Sequence, residues 1–149
     1  MKQTGAVSDA RQTHVDAALR AYLDLHAALM KDSTDQATGP LKQIGHSSDA
    51  LVERDADQKI KALVEKLASA ARVPPKDLES LRNSFEILSN SLLELVKMVP
   101  PSKQVSMTLN WAYCPMVKKG WLQVGEAISN PYSASMRECG SVKEPLPAR

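Results

Sequence analysis

The sequence predicts a mainly α fold, an antiparallel four-helix bundle with a small β-hairpin and loop region at its C-terminal end. Three observations support this prediction. Apolar residues recur at helical spacing over about residues 9–99, double prolines at 74–75 and 100–101 interrupt the pattern, and beyond them apolar and polar residues alternate singly. With 149 residues, of which 43% are hydrophobic, the chain is long enough to bury one core. We therefore expect a single domain over residues 1–149, with the bundle at about 9–99 and the hairpin and loop region at about 104–144.

The first two helices are predicted before residue 48. Helix one is expected over about residues 9–31, because its apolar residues share one helix face: Val15, Ala18, Leu19, Tyr22, Leu25 and Leu29. Residues 1–8 are polar and small and predict a loose arm. The second segment, at about 34–47, contains Gly39-Pro40 inside a helical pattern, which predicts a short or kinked helix.

Helices three and four have clearer patterns. The run from Leu51 to Ala71 separates an apolar side from a charged side, as an amphipathic helix does. Pro75 suits the first position of the next helix, with Asp77 and Glu79 near the positive end of its dipole. This fourth helix has the strongest periodicity in the chain: Leu78, Leu81, Phe85, Leu88, Leu92 and Leu95. Pro100-Pro101 is expected to end it.

Beyond the second double proline the period changes to that of a strand. Apolar residues occupy every second position: Val105, Met107, Leu109, Trp111 and Tyr113. Residues 118–120 then predict a turn, and residues 121–124 a returning strand, with the tail after Glu144 frayed. A two-stranded hairpin is marginal alone, so its tryptophans are expected to pack on the helices.

Charge and motifs exclude several classes of function. The net charge of +2 comes from interleaved acids and bases, which gives little reason to expect nucleic acid or an anionic membrane as a partner. No apolar run reaches the length of about 18–20 residues that spans a bilayer. The first residues lack the apolar core of a signal peptide, so the protein is either cytosolic or has lost a leader before this numbering begins. No glycine-rich phosphate loop or zinc-protease histidine pair occurs, and a non-enzyme is expected.

Four sulfur-bearing residues form two pairs in the last third of the chain. Cys114 and Met116 are two positions apart in a predicted strand, whereas Met136 and Cys139 are three apart, as on one helical turn. If the two pairs converge, two thiolates and two thioethers would form a soft site for copper(I), with silver or zinc as weaker candidates.

A disulfide is the alternative use of the two cysteines. Closing a loop of about 26 residues between Cys114 and Cys139 would stabilise an exported domain by about 3–4 kcal/mol in the chain-entropy model, and it would remove both thiolates as ligands. Met116 and Met136 would then fill gaps in the core. A thiol redox protein is a third reading of the same residues.

The three histidines are weaker ligand candidates. His14 and His26 lie 12 positions apart, about 120° around one helix, so they cannot bind one ion together. We expect His26 to be a packed or rim histidine. His46 lies where a loop would bring it near the hairpin and is a possible additional ligand, with a solvated turn residue as the simpler interpretation.

The C-terminal motifs resemble those of a bacterial exported domain family of unknown function. The shared residues are Tyr113-Cys114-Pro115-Met116, Gly120-Trp121-Leu122, Asn130-Pro131-Tyr132 and Met136-x-x-Cys139-Gly140, together with Tyr22-Leu23-Asp24-Leu25 and Leu81-Arg82-x-x-Phe85 upstream. That family occurs alone and as a C-terminal appendage of heavy-metal efflux membrane-fusion proteins. Ser133-Ala134-Ser135 departs from its pattern, which expects an aromatic residue and a glycine before Met136.

The resemblance implies a periplasmic or cell-surface protein that handles copper or silver. We therefore expect a metal-binding protein that holds or passes copper(I) in connection with efflux, through Cys114, Met116, Met136 and Cys139. The alternative is an accessory domain without metal, in which a Cys114–Cys139 disulfide is structural and the hairpin docks to an efflux or envelope protein. Six residues would support either site: Pro115 by holding Cys114 extended, Asn130, Pro131 and Tyr132 as a turn, and Trp111 and Trp121 as shields or core anchors.

Overall fold

The computed structural model describes residues 2–54, 57–106 and 108–146 of the chain, and it is mainly helical with a small antiparallel sheet at the C-terminal end. The helices are α1 (Lys2–Met30), α2 (Thr38–Arg54), α3 (Gln58–Ala71), α4 (Leu78–Met98) and the single turn α5 (Lys103–Ser106). The strands are β1 (Leu109–Cys114), β2 (Lys119–Val124) and β3 (Ser141–Pro145). Short 3-10 turns occupy Asp35–Ala37 and Ala134–Met136.

The first helix is longer than predicted, and the second does not break at its proline. Helix α1 begins at Lys2, within the segment predicted as a loose arm, because a helix propagates cheaply once its inner turns are packed and this segment has no proline. Pro40 lies in the first turn of α2, where backbone N–H groups have no partner within the helix. Proline is therefore tolerated there, and α2 continues without interruption to Arg54.

The boundary between the second and third helices also differs from the prediction. Leu51, predicted in helix three, belongs to α2, and α3 begins only after Asp57. The Asp57 carboxylate accepts hydrogen bonds from the backbone N–H groups of Lys59 and Ile60, at 2.9 and 3.1 Å, and so caps α3. The prediction of one helix from Leu51 to Ala71 places this aspartate inside a helix, whereas it caps the start of α3 and so separates α3 from α2.

Helix α4 follows its prediction except at its first residues. Asp77, rather than Pro75, sets the start: its carboxylate accepts from the Ser80 N–H at 2.8 Å, while the Ser80 hydroxyl accepts from the Asp77 N–H. The predicted apolar stripe of this helix is buried from Leu81 to Leu95. The helix ends at Met98, before Pro100-Pro101, as predicted.

The helices pack in sequence order around one core. Helix α1 packs on α2, α2 on α3 and α3 on α4, with a smaller contact between α1 and α4. The largest fully buried side chains include Tyr22, Phe85 and Trp121, which come from both helices and sheet. None of the helices in the described ranges combines the length and apolar character needed to cross a bilayer. The structure thus shows a mainly helical fold, and the arrangement of the four long helices as an antiparallel bundle stays a prediction.

The C-terminal sheet has three strands, whereas the sequence predicted a two-stranded hairpin. Strand β1 lies between β2 and β3 and is antiparallel to both, with Trp111 opposite Leu122 and Tyr113 opposite Ser141. Val105 lies in the helical turn α5 rather than in the first strand, and Met107 lies outside the described residues. The third strand covers part of the tail predicted as frayed; its residues are exposed or half-buried, so no strong alternation of apolar residues marked it.

Candidate functional site

The two cysteines are joined by a disulfide in the C-terminal region. Cys114 is the last residue of β1 and is fully buried, and Cys139 lies two residues before β3. Their Cα atoms are 5.6 Å apart across a separation of 25 residues, within the usual range for a disulfide. Because β3 pairs with β1 at Ser141 and Tyr113, the sheet register itself brings the two cysteines side by side. Of the three readings that the sequence left open for the cysteines, metal ligands, a structural disulfide and a redox pair, the structure shows the two residues joined by a disulfide.

The two methionines of the predicted site lie in different surroundings. Met116 lies on the turn between β1 and β2 and is 71% exposed, so it does not fill a gap in the core. Met136 ends the 3-10 turn before Cys139 and is half-buried. Pro115, beside Met116, is exposed on the same turn, and the turn closes through a hydrogen bond from the Lys118 N–H to the Cys114 carbonyl at 2.8 Å.

The soft-metal site requires free thiolates. Two bonded sulfurs carry no thiolate, so the set of Cys114, Met116, Met136 and Cys139 is available only in the reduced protein. Within the described part of the chain, no cluster of three or more histidine, cysteine, aspartate and glutamate side chains could hold a metal ion. Copper(I) at the four sulfurs stays a prediction, and it applies to the reduced form alone.

Asn130 holds the loop that carries Met136 and Cys139. Its side chain is fully buried; Nδ2 donates to the Cys139 carbonyl at 3.1 Å, and Oδ1 accepts from the Tyr132 N–H at 2.9 Å. Its own backbone N–H donates to the Arg137 carbonyl at 2.8 Å. The bonds to Cys139 and Arg137 thus tie the start of the loop to its end, and the bond from Tyr132 shapes the start itself. The Asn-Pro-Tyr motif positions the segment leading to Cys139, and the Asn130 side chain faces inward, away from solvent.

Tyr132 anchors this loop to the helices through a buried cluster of hydroxyl groups. Its hydroxyl donates to the Gly120 carbonyl at 2.6 Å and lies 3.3 Å from the Ser89 hydroxyl on α4. Ser89 is also 2.6 Å from the hydroxyl of Tyr22 on α1, which accepts from the Leu122 N–H of β2 at 2.9 Å. Burial raises the pKa of both tyrosines well above the ordinary value, so both hydroxyls stay protonated as donors.

Gly120 lies close to the Trp111 ring, and Gly140 lies close to Trp121 and the Tyr113 carbonyl. Trp121 is fully buried, and its indole N–H donates to the Gln123 side chain at 2.9 Å. A Cβ atom on Gly120 would lie 2.1 Å from the ring of Trp111. Gly140 has a φ of +134°, and a Cβ atom there would lie 2.9 Å from the Tyr113 carbonyl oxygen. These glycines are therefore needed where the chain passes close to a ring or a carbonyl.

His26 and His46 lie on helices α1 and α2. His26 is packed: its Nε2–H donates to the Ser129 carbonyl at 2.8 Å, and its ring stacks on Phe85 at a centroid distance of 6.2 Å. Burial lowers the pKa of His26. His46 lies within helix α2, not on a loop as expected, and it faces a groove formed with residues 71–75.

Two polar groups near the site were missed by the sequence analysis. Asp32, in the turn after α1, accepts from Arg82 of α4 at 3.0 Å and from Arg137 of the C-terminal loop at 2.7 Å. Gln123 is buried and binds four partners, including the Ser129 N–H and the Ala127 carbonyl. The partners of Asp32 are 50 and 105 residues away, and three of the four partners of Gln123 are backbone groups, so no residue spacing in the sequence marks either one.

In this arrangement the disulfide and buried hydrogen bonds fix the loop that leads to Cys139, and Tyr132 connects the loop to the helices. Its polar side chains are directed at backbone groups of the loop and the sheet, and its two thiols are consumed in a covalent bond. Such a site can present a fixed surface turn, and its redox state decides whether thiolates exist. In comparisons with known proteins, no family model, no curated sequence and no solved structure matches the chain.

Proposed function

We propose that this chain is a non-enzymatic accessory domain of the bacterial cell envelope, in which the Cys114–Cys139 disulfide is structural and the β1–β2 turn docks to an efflux or envelope protein. The disulfide carries this proposal. A buried cysteine at the end of β1, bonded to a cysteine just before β3, suits an oxidising compartment such as the periplasm. In this proposal the four long helices form an antiparallel bundle that acts as a platform.

The placement of the motif residues supports a structural role for them. Three motif residues are buried and form hydrogen bonds inside the protein: Asn130, Tyr132 and Trp121. Buried residues of this kind fix the conformation of the surface above them. The exposed part of the same motifs is Pro115 and Met116 at the tip of the turn. In this proposal the exposed Met116 is an adaptable apolar contact for a protein partner.

Copper(I) binding is the second candidate, and one observation favours it. The two sulfur-bearing segments lie side by side, with 5.6 Å between the cysteine Cα atoms, so reduction would release two thiolates close together. Met136 precedes Cys139 by three residues and Met116 follows Cys114 by two. In this candidate the reduced protein holds or passes copper(I), with silver or zinc behind it, in connection with heavy-metal efflux.

A thiol count and a copper titration separate the two candidates. Protein purified without reductant is expected to show no reactive thiol and a mass lower by two hydrogen atoms than the reduced chain. In the accessory-domain proposal the oxidised protein is the working form and binds no copper(I) in competition with a chromophoric chelator. The ranking of the two candidates would be reversed by two observations together. Protein taken directly from the periplasm would have two free thiols, and it would bind one copper(I), whereas Cys114→Ser would bind none.

Docking at the turn is tested by placing a photo-crosslinking amino acid at Met116 in cells. The expected product joins the protein to an envelope component identified by mass spectrometry as part of an efflux system. The matched control carries the same group at Ile87, an exposed residue of α4. Equal crosslinking from both positions, or none from Met116, would contradict docking through the turn.

A further inference from the structure

A groove separate from the disulfide lies between α2 and the connection from α3 to α4. Its volume is about 590 Å³, within the range of about 300–1,000 Å³ typical of small-molecule sites. Its apolar lining includes Leu41, Ala71, Val73, Pro74 and Pro75. The volume and lining suit a compact apolar body such as an aromatic ring system.

The wall formed by residues 72–75 is held in place. The Arg72 N–H donates to the Ala68 and Ser69 carbonyls, at 3.2 and 3.3 Å, as it closes the end of α3. Pro74 and Pro75 have fixed φ angles and leave this segment little freedom to collapse into the groove. The groove is therefore largely preformed, and a ligand would spend little free energy in ordering it.

Gly45 forms part of the groove from within helix α2. A Cβ atom added to it would meet nothing within 4 Å, so no neighbouring helix or side chain requires a glycine here. Glycine inside a helix is less favourable than alanine by about 1 kcal/mol. The missing side chain thus leaves open space in the groove at the expense of helix stability.

The charged lining of the groove has an excess of positive charge. Lys42 and Arg72 contribute two positive charges and Asp49 one negative charge, and Asp49 forms an ion pair with Arg72, so one positive charge remains. Both members of the pair are more than half exposed and can rearrange around a ligand. His46 lies on the same lining and offers a further polar contact.

We propose that this groove binds a small organic molecule with one negative charge and a compact apolar body, in the manner of an aromatic carboxylate or sulfonate. The apolar body occupies the space beside Gly45, against Leu41 and Pro74, and the anionic group faces Lys42 and Arg72. Asp49 competes with the ligand for Arg72, which lowers the affinity for anions.

The test uses 1-anilinonaphthalene-8-sulfonate as the probe and its uncharged analogue N-phenyl-1-naphthylamine as the comparison. The full chain is expected to bind one equivalent of each, with fluorescence that saturates. Gly45→Leu fills the groove and is expected to abolish binding of both. Gly39→Leu is the matched control, since Gly39 lies on the same helix with nothing within 4 Å and outside this groove, and it is expected to retain binding.

Charge variants then locate the anionic group. Lys42→Gln is expected to weaken the sulfonate by about two- to fivefold, the effect of one exposed charge pair, and to leave the uncharged analogue unchanged. Asp49→Asn is expected to strengthen the sulfonate, because it frees Arg72. Unaltered binding in a Gly45→Leu protein with wild-type circular dichroism would overturn the proposal. So would equal effects of Lys42→Gln on both probes, or fluorescence that never saturates.

Discussion

The Asn130 side chain donates a hydrogen bond to the Cys139 carbonyl at 3.1 Å, and the same side chain accepts from the Tyr132 N–H at 2.9 Å. These two bonds connect the loop to the residue that forms the disulfide. A buried polar group left without its partner destabilises a protein by about 1–3 kcal/mol. The conformation of the loop from Asn130 to Cys139 therefore depends on the buried Asn130 side chain, although asparagine is not a residue type that a sequence pattern assigns to a core.

Replacing Asn130 by alanine is expected to lower the free energy of unfolding by about 2 kcal/mol or more, because both the Cys139 carbonyl and the Tyr132 N–H lose their partner. Urea titration followed by circular dichroism measures the change. Asn90→Ala, at an exposed position of α4, is the control and is expected to remain within about 0.5 kcal/mol of wild type. Equal effects of the two substitutions would remove the structural role assigned to Asn130.

Reducing the disulfide is expected to destabilise the protein by about 3–4 kcal/mol, since the cysteines are 25 residues apart and the unfolded chain regains the entropy of an open loop. Thermal unfolding with and without a phosphine reductant checks this. The double variant Cys114→Ala with Cys139→Ala should unfold at the same temperature in both buffers. If reduction lowers the stability of that variant as much as that of wild type, the effect does not come from the disulfide.

Gly120 and Trp111 are expected to be coupled. A Cβ atom at Gly120 would lie 2.1 Å from the Trp111 ring, so Gly120→Ala displaces the ring and destabilises the protein by about 1–3 kcal/mol. In a Trp111→Ala background the same glycine substitution should have little effect, because the obstructing ring is gone. A double-mutant cycle on chemical unfolding measures this coupling. Additive effects of the two substitutions would show that the close approach has no energetic consequence.

The stability of the protein is expected to fall in mild acid because of His26. Burial lowers the pKa of His26 in the folded protein, whereas an unfolded histidine takes up its proton near pH 6.5. Between the pKa of His26 in the folded protein and about pH 6.5, the unfolded chain binds more protons than the folded protein. The contribution of the neutral, buried His26 to stability is therefore complete above about pH 6.5 and is lost as the pH falls toward the folded pKa.

Unfolding free energies at a series of pH values from 7.5 to 5.5 test this expectation. His26→Gln keeps a donor for the Ser129 carbonyl but has no group that titrates, so its stability should fall less steeply with decreasing pH than that of wild type. Identical slopes for the two proteins would assign the acid sensitivity to other groups.

The helices were predictable where their apolar stripe is long. In α4 the buried residues from Leu81 to Leu95 repeat at helical spacing, and Pro100-Pro101 stops the pattern. Helix boundaries were less predictable because single residues set them through local hydrogen bonds. Gly39-Pro40 predicted a short or kinked helix, although Pro40 lies in the first turn of α2. The run from Leu51 to Ala71 predicted one helix, although Asp57 within it caps α3.

The candidate site was only partly predictable for a different reason. The sequence pointed to Cys114 and Cys139 and named the disulfide as one of their uses, but the two residues meet through the pairing of β1 with β3. Strand β3 has no strong alternation, so this pairing could not be inferred. Asp32 was missed because its arginine partners are 50 and 105 residues away. Gln123 was missed because three of its four partners are backbone groups, which leave no pattern of residue types in the sequence.

The bond from the Leu122 N–H to the Tyr22 hydroxyl joins residues 100 positions apart. During synthesis on a ribosome, the first helix emerges long before the strand that completes its contacts. The contacts of Tyr22 with Leu122 and of Phe85 with Tyr132 can form only after these C-terminal residues have been added. Chaperones that recognise apolar surface would therefore find a binding site on the nascent chain, and the arrival of β2 and of Tyr132 would close that site.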